Sequence, residues 1–166
     1  DLKGSTSQKI KTAFEVLEQV DCRLPKDVDS KNSWGDAFVA AFTDPSSAVR
    51  YCLKLRDSIA FYDWRSIGIK RPLYFRLAVS TGEVSNIYDS IMEKKSLEGM
   101  PFVKSARIEP MVEPGSIIVD EGTKNVIDNS NNEFFWRELS LRTLRGVPSP
   151  VKPFEVFRSE ADANFR

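Results

Sequence analysis

The stretch Lys31 to Phe42, KNSWGDAFVAAF, constrains the fold more than any other. Gly35-Asp36 is turn chemistry, and a run of small and aromatic residues follows it directly. That order reads as a buried hairpin with one carboxylate, Asp36, held at its tip. A Gly-Asp pair before an apolar strand is ordinary when it stands alone. What Asp36 means depends on whether the rest of the chain supplies partners.

The chain has 166 residues, enough for one domain with a full core. Charged residues make up 29% and balance at 24 Lys plus Arg against 24 Asp plus Glu, so no global basic field points to nucleic acid. No run of ~18 apolar residues is present to span a membrane. No signal peptide is visible either, and the expectation is a cytoplasmic protein with no membrane and no nucleic-acid partner. Cys22 and Cys52 are too few for a disulfide framework and read as packing residues in a reducing compartment. Histidine is absent, which excludes a Ser-His-Asp triad, a Cys-His dyad and a His-ligated zinc site. Chemistry must then rest on carboxylates, Arg, Lys and hard metal ions.

Taken in order, Ile10, Ala13, Phe14, Leu17 and Val20 recur at helical spacing over Ser7 to about Val20. Residues 21 to 30 are loop-like, and the hairpin follows. Asp44-Pro45 supplies an N-cap and a proline at the first helical position, opening a long helix to about Ile67. Its buried stripe is Ala48, Tyr51, Cys52, Leu55, Ile59 and Tyr62. Leu73 to Val84 alternates as a strand, and residues 85 to 100 read as irregular. Pro101 to Met111 is a short helix carrying Lys104 and Arg107, with Pro110 near its end. Ser116 to Asp120 reads as a strand and Glu121 to about Asp128 as a helix. Three strands close the domain, at about Phe134–Leu139, Leu141–Gly146 and Pro153–Phe157. The fold class is therefore α/β (α+β), a mostly antiparallel sheet flanked by helices, in the ferredoxin-like or palm style. The domain spans 1–158, and residues 159–166 form a polar tail expected to fray.

If Asp1 ends a strand beside the hairpin, Asp1 and Asp36 share one sheet edge next to a helix N-terminus. Like charges that close need cations between them, and oxygen ligands favour Mg²⁺ or Mn²⁺. Two such metals activate an attacking oxygen and stabilise a leaving one on phosphorus. The backbone amides of Lys3, Gly4, Ser5 and Thr6 suit a triphosphate. The plain alternative for Gly4-Ser5-Thr6-Ser7 is an N-terminal helix cap.

Five ordered motifs carry a resemblance across nearly the whole chain: DLKGST at 1–6, WGDAFVAAF at 34–42, FRLAVSTGEV at 75–84, GMPFVKSARIEPMVEPGSIIV at 99–119 and LRGVPSPVKPFEV at 144–156. Together they resemble the catalytic domain of the class III adenylate and guanylate cyclases. The resemblance implies the cyclase homology domain fold. It implies a nucleotidyl cyclase, a phosphorus-oxygen lyase in which the ribose 3′-hydroxyl of a nucleoside triphosphate attacks its own α-phosphorus and pyrophosphate leaves. Asp1 and Asp36, with the carbonyl of Leu2, are implied to bind two ions of Mg²⁺ or Mn²⁺. Arg107 falls where the family places the Arg that stabilises charge on the pentavalent phosphorus, and a guanidinium fork matches phosphate oxygens in pairs. Arg145 aligns with a family Lys that contacts the terminal phosphates. For both arginines the plain alternative is a surface ion pair, for Arg107 with a neighbouring Glu. A homodimer with composite active sites is implied, because in the family the metal-binding Asp residues and the Arg come from opposite subunits.

The departures bear on the base. A Lys three residues before the Gly-Asp pair reads adenine in adenylate-specific members; here that place is Asn32, and its partner Asp falls at Ser96. Asn both donates and accepts, which suits the polar edge of a pyrimidine. In this the chain resembles the bacterial pyrimidine cyclases of antiphage signalling, which make cyclic UMP or cyclic CMP as second messengers. A purine cyclase is the alternative. Val103 stands at the place of a family Asn that contacts the ribose, and the interval from Asp1 to Asp36 is short for the family.

Two other readings stand beside an active cyclase whose product acts on a separate effector protein. One is a catalytically inactive cyclase-like module that binds a nucleotide or dimerises. Against it, a chain without catalysis has little physical reason to keep two adjacent uncompensated carboxylates. The other is a ferredoxin-like RNA binder, which would need solvent-facing aromatics on central strands and a basic face.

Overall fold

The computed structural model describes residues 6–21, 28–34, 37–90, 94–130 and 133–164. The chain divides into two compact units, Asp1–Phe75 and Arg76–Arg166. No helix of the described residues is long and apolar enough to cross a membrane.

The first unit holds α1 (Thr6–Asp21), β1 (Ser30–Trp34), β2 (Ala37–Ala41) and α2 (Pro45–Ala60). Helix α1 buries Leu17 and Val20 of the expected stripe together with Val16, while Ala13 and Phe14 are half-buried. Strands β1 and β2 pair antiparallel, from Ser30 opposite Ala41 to Trp34 opposite Ala37, as expected for a hairpin. The expected burial is not reached: Ala37 is exposed, and Phe38, Val39, Ala40 and Ala41 are half-buried. Helix α2 starts where Asp44-Pro45 places it. The Asp44 carboxylate accepts from the backbone N–H groups of Ser46 at 3.2 Å and Ser47 at 2.8 Å, and Pro45 sits in the first turn. Ala48, Tyr51, Leu55 and Ile59 are buried along it as the spacing predicts, with Val49 and Leu53 beside them.

This helix is shorter than its apolar spacing predicts, stopping at Ala60 rather than near Ile67. Phe61 caps it, and the following residues fold into a series of turns, with Gly68 taking φ +80°. Trp64 is buried, and its indole N–H donates to the carbonyl of Ile59 at 3.0 Å. Trp64 and Ile69, both buried, thus anchor a loop back onto the helix end. The thiol of Cys52 is pushed up to about 12 by burial, which suits the expected packing role. Cys22 lies outside the described residues.

The second unit begins with β3 (Leu77–Val79), β4 (Ser85–Asp89), β5 (Lys94–Glu98) and α3 (Met100–Ile108). A 3₁₀ turn at Glu109–Met111 contains Pro110, and β6 (Ile117–Asp120), α4 (Glu121–Ser130), β7 (Phe135–Glu138), β8 (Pro153–Phe157) and α5 (Glu160–Asn164) follow. Four strands form a sheet in the order β3-β6-β8-β7, with β3 parallel to β6 and the other pairs antiparallel. Central strand β6 is buried at all four residues, as befits a strand covered on both faces. Ile108, Val112, Ile118, Leu144 and Val151 form a buried cluster in this unit. The mixed fold, with mostly antiparallel pairing and helices alongside, is the class expected.

Four details differ from the sequence expectation. The strand at 73–84 contracts to Leu77–Val79. Residues 85–98, expected to be irregular, pair as the antiparallel hairpin β4–β5 from Ser85 opposite Glu98 to Asp89 opposite Lys94. At its base Gly99 comes so close to the carbonyl oxygen of Glu83 that an added Cβ would sit 2.5 Å away. The strand expected at 141–146 is reduced to one bridge, Arg142 to Val151, because Leu144 to Val147 forms a turn with Gly146 at φ +79°. Residues 160–164 of the tail form α5. Ser159 Oγ accepts from the Asp162 N–H at 3.3 Å, Ala163 is buried, and Arg137 Nη2 donates to the Ala163 carbonyl at 2.7 Å.

Candidate active site

Asp1, Leu2, Lys3, Gly4, Ser5 and Asp36, the expected metal ligands and most of the phosphate-binding segment, lie outside the described residues. Thr6 opens α1. Asn32 lies in β1 opposite Val39, and Ser96 in β5 opposite Ile87. Arg107 is in the last turn of α3, and Arg145 is in the turn that follows Leu144. Among the described residues no three His, Cys, Asp or Glu side chains gather as a metal cluster.

In the first unit, the hairpin strand that carries Asn32 is tied down one residue earlier. Lys31 Nζ donates to Asp21 Oδ2 at 2.5 Å, and the Tyr51 hydroxyl donates to Asp21 Oδ1. Asp21 ends α1, where the helix dipole disfavours a carboxylate, so its two donors do more than close a contact. Burial alone would raise the Asp21 pKa. The hydrogen bonds from Lys31 and Tyr51 and the Lys31 charge outweigh it and hold the carboxyl below its ordinary value. Burial first, and then the same Asp21 contact, push the Tyr51 phenol up. The ammonium that precedes Asn32 on β1 is thus bonded to Asp21.

In the second unit, Arg107 is exposed at the end of α3. The acid nearest in sequence, Glu109, belongs to another partner. Arg76 Nε meets Glu109 Oε1 at 2.7 Å. Residues two apart on a helix do not face each other, which explains why Arg107 does not compete for it. Among the described residues Arg107 has no carboxylate partner, and neither has Arg145, also exposed. Val103, one turn before Arg107, is 39% exposed.

Behind this helix the structure holds a buried polar group that motif reading passes over. Asp120 is 2% exposed at the end of β6. Its Oδ1 accepts from the Thr123 N–H at 2.9 Å and the Thr123 hydroxyl at 2.6 Å, capping α4, while Oδ2 accepts from Lys104 Nζ at 3.1 Å. The Thr123 and Thr81 hydroxyls are hydrogen-bonded at 3.0 Å. The sequence does contain a signal for the cap, an Asp between a strand and a helix with Thr three residues on, but none for its partner Lys104. A separate cleft of about 270 Å³, with Met111, Glu113, Arg142 and Glu155 among its lining, takes in neither Arg107 nor Arg145.

No protein-family model matches the chain. Uncharacterised proteins of Mycobacterium tuberculosis and Mycobacterium bovis are 28% identical over 118 residues, covering 70% of this chain and 35% of each relative. The chain thus spans about a third of the length of the curated relatives it matches. Solved structures give broader likenesses. The adenylyl cyclase CyaB from P. aeruginosa superposes with TM-score 0.73 at 19% identity, covering 94% of this chain and 84% of that one. The guanylate cyclase domain of RhGC from Catenaria anguillulae, in complex with GTP, gives 0.72 at 17% identity over 95% and 88%. A monomeric adenylate cyclase from Trypanosoma brucei gives 0.72 at 18% identity over 91% and 79%. The fold of this chain is that of the adenylate and guanylate cyclase catalytic domains.

Proposed function

We propose that the chain is a nucleotidyl cyclase that converts a nucleoside triphosphate to its 3′,5′-cyclic nucleotide and pyrophosphate. The observation that carries this reading is Arg107: an exposed guanidinium on a helix whose neighbouring acid is held by Arg76. An arginine kept out of ion pairs is available to an anionic ligand, and its planar fork suits phosphate oxygens.

In the proposed reaction the 3′-oxygen forms a bond to the α-phosphorus, the bond from that phosphorus to the bridging oxygen of pyrophosphate breaks, and the 3′-hydroxyl proton passes to solvent. Arg107 stabilises the charge that builds on the phosphorus oxygens. Arg145, also without a carboxylate partner among the described residues, holds the terminal phosphates. The amides of Lys3 to Thr6 are assigned the same anion. Asp1, Asp36 and the Leu2 carbonyl are the residues assigned to two Mg²⁺ or Mn²⁺ ions, which when bound lower the pKa of a hydroxyl and neutralise phosphate charge. Because the assigned Asp residues and Arg107 are taken to come from opposite copies, the working unit is a homodimer with two composite sites.

The base is assigned to a pyrimidine, UTP or CTP, read by Asn32 and Ser96, and the product to second-messenger signalling in antiphage defence through a separate effector. Support comes from the first unit, where the Lys31 ammonium is bonded to Asp21 and the residue assigned to base reading is the amide Asn32. One observation favours an inactive module instead, the exposed apolar Val103 at the place of a polar ribose contact. Incubation with each of the four triphosphates and Mn²⁺, with products identified by mass, separates these readings. A cyclic pyrimidine nucleotide is expected. Failure of all four substrates at dimer-forming concentration would overturn the enzyme reading.

A further inference from the structure

Helix α3 is nine residues long, and its buried side chains lie near its ends, Pro101 in the first turn and Ile108 in the last. Between them Val103 is 39% exposed and Ala106 is exposed as well. Gly99, at the N-cap, provides no side-chain hydrogen bond. With the fully buried side chains at its ends, the rotation of α3 about its axis rests on its half-buried middle residues, Phe102, Lys104 and Ser105. Rotation is the motion that displaces a side chain such as Arg107.

Lys104 opposes that rotation from the middle turn. Its Nζ is 3.1 Å from Asp120 Oδ2, and its side chain is 28% exposed against 3% for Asp120. The carboxylate it reaches is itself fixed, bonded through Oδ1 to the backbone and hydroxyl of Thr123 at the start of α4. Thr123 is bonded in turn to Thr81, just after β3. Lys104 is therefore fastened to a point where the end of β6, the start of α4 and the segment after β3 meet. Lys104 and Arg107 are three residues apart, so they are neighbours on the helix surface.

We propose that Lys104 is a positioning residue: through Asp120 it sets the rotation of α3 and so places the Arg107 guanidinium on the reacting phosphate. The proposal rests on the reading of Arg107 given above. With side chains at ~6 Å from the helix axis, a rotation of ~10° carries a side-chain group by ~1 Å. A misplacement of ~1 Å costs up to ~100-fold in rate. Removing the ammonium also leaves Asp120 as a buried charge without compensation, which favours a shifted helix over the parent one.

The test is steady-state kinetics of the whole chain with Mn²⁺ and its best triphosphate. Lys104→Met and Lys104→Arg are compared in the parent and in an Arg107→Lys background. Lys104→Met in the parent is expected to lower kcat by about 10- to 100-fold with KM within about 2-fold. Lys104→Arg restores most of the rate, since a guanidinium reaches the same carboxylate. In the Arg107→Lys background, Lys104→Met costs less than about 3-fold, because both changes act through one group. Asp120→Asn keeps an acceptor for Thr123 but removes the charge, and it repeats the kcat loss of Lys104→Met. All rates are taken below the onset of thermal unfolding followed by circular dichroism.

Equal losses in both backgrounds, or a loss confined to KM, overturn the positioning role in favour of a structural one. Full activity of Lys104→Met beside an inactive Arg107→Ala overturns the positioning role alone. Full activity of Arg107→Ala overturns the reading of Arg107, and this proposal falls with it.

Discussion

Arg76 Nε lies 2.7 Å from Glu109 Oε1, and among the described residues the nearby Arg107 has no carboxylate partner. Both partners of the pair are nearly half exposed, at 46% and 40% of their side-chain surface, so the contact contributes little to stability. Glu109, the acid nearest Arg107 in sequence, is engaged by Arg76 on a side that Arg107 does not face.

Arg107→Ala is therefore expected to lower kcat by about 100- to 1,000-fold, the cost of removing one donor to a developing oxyanion. Arg76→Ala and Glu109→Ala should each change stability by less than about 1 kcal/mol. Their kcat should stay close to the parent. Cyclisation rates and thermal midpoints of the three variants decide it. A rate unchanged in Arg107→Ala would remove Arg107 from the mechanism.

Acid stability is a second expectation, and it follows from Asp21. Its folded pKa is held below the ordinary 3.8 because the Lys31 and Tyr51 contacts outweigh burial. A depressed carboxyl contributes stability above its unfolded value and loses it as pH falls through the folded one. Asp21→Asn is thus expected to cost about 1–2 kcal/mol at neutral pH. The gap to the parent should close below about pH 4. Tyr51, shifted upward, works in the other direction: its contribution is present below about pH 10 and fades above it. Urea midpoints from pH 3 to 11 measure both limbs. A gap between parent and Asp21→Asn that does not change with pH would rule out this linkage.

Local chemistry made part of this structure legible. Asp44-Pro45 marked the start of α2 because a carboxylate cap and an N1 proline act within one turn. The Lys31–Phe42 hairpin was readable from turn residues and an apolar run. The end of α2 was not, since the apolar spacing runs on to Tyr62 while the burial of Trp64 and Ile69 in the following loop is a tertiary contact. Hairpin β4–β5 was hidden for the opposite reason. Ser85, Lys94, Lys95 and Ser96 supply little apolar alternation, and a close backbone approach at Gly99 closes its base. The site divides in the same way. Arg107 could be named from a motif, but the pairing of Arg76 with Glu109 spans 33 residues and that of Lys104 with Asp120 spans 16, and neither leaves a local trace.

The loop after α2 offers a test of that tertiary anchoring. Trp64 is 3% exposed and its indole donates to the Ile59 carbonyl. Trp64→Ala should destabilise by about 3–5 kcal/mol through cavity formation. Trp64→Phe should cost less, chiefly the lost hydrogen bond, at about 1 kcal/mol. Chemical unfolding compares them, and equal losses would show that the indole N–H, not the ring volume, dominates.

Composite sites make a distinctive prediction for mixtures. A chain carrying Asp36→Ala and a chain carrying Arg107→Ala should each be inactive alone. Mixed in equal amounts, they should regain up to about a quarter of the parent rate. Half of the random dimers are hybrids, and each hybrid has one intact site of two. Mass detection of cyclic nucleotide reads the recovery. An inactive mixture, with hybrid dimers confirmed by native mass spectrometry, would place both residues in one subunit's site.

The proposed base reading assigns the choice to Asn32, whose neighbour Lys31 is held by Asp21 at 2.5 Å. Strand alternation sends neighbouring side chains to opposite faces, so Lys31 cannot serve the face that Asn32 serves without leaving Asp21. Asn32→Lys therefore introduces an ammonium where the strand now presents an amide. Competition between UTP, CTP and ATP in one reaction should move toward ATP by at least about 10-fold, the scale of about one changed polar contact. Lys31→Met should leave the ratio of products unchanged and lower stability instead, since among the described residues its ammonium is paired with Asp21. A ratio shifted by Lys31→Met and not by Asn32→Lys would transfer base reading to Lys31 and remove the structural case for a pyrimidine.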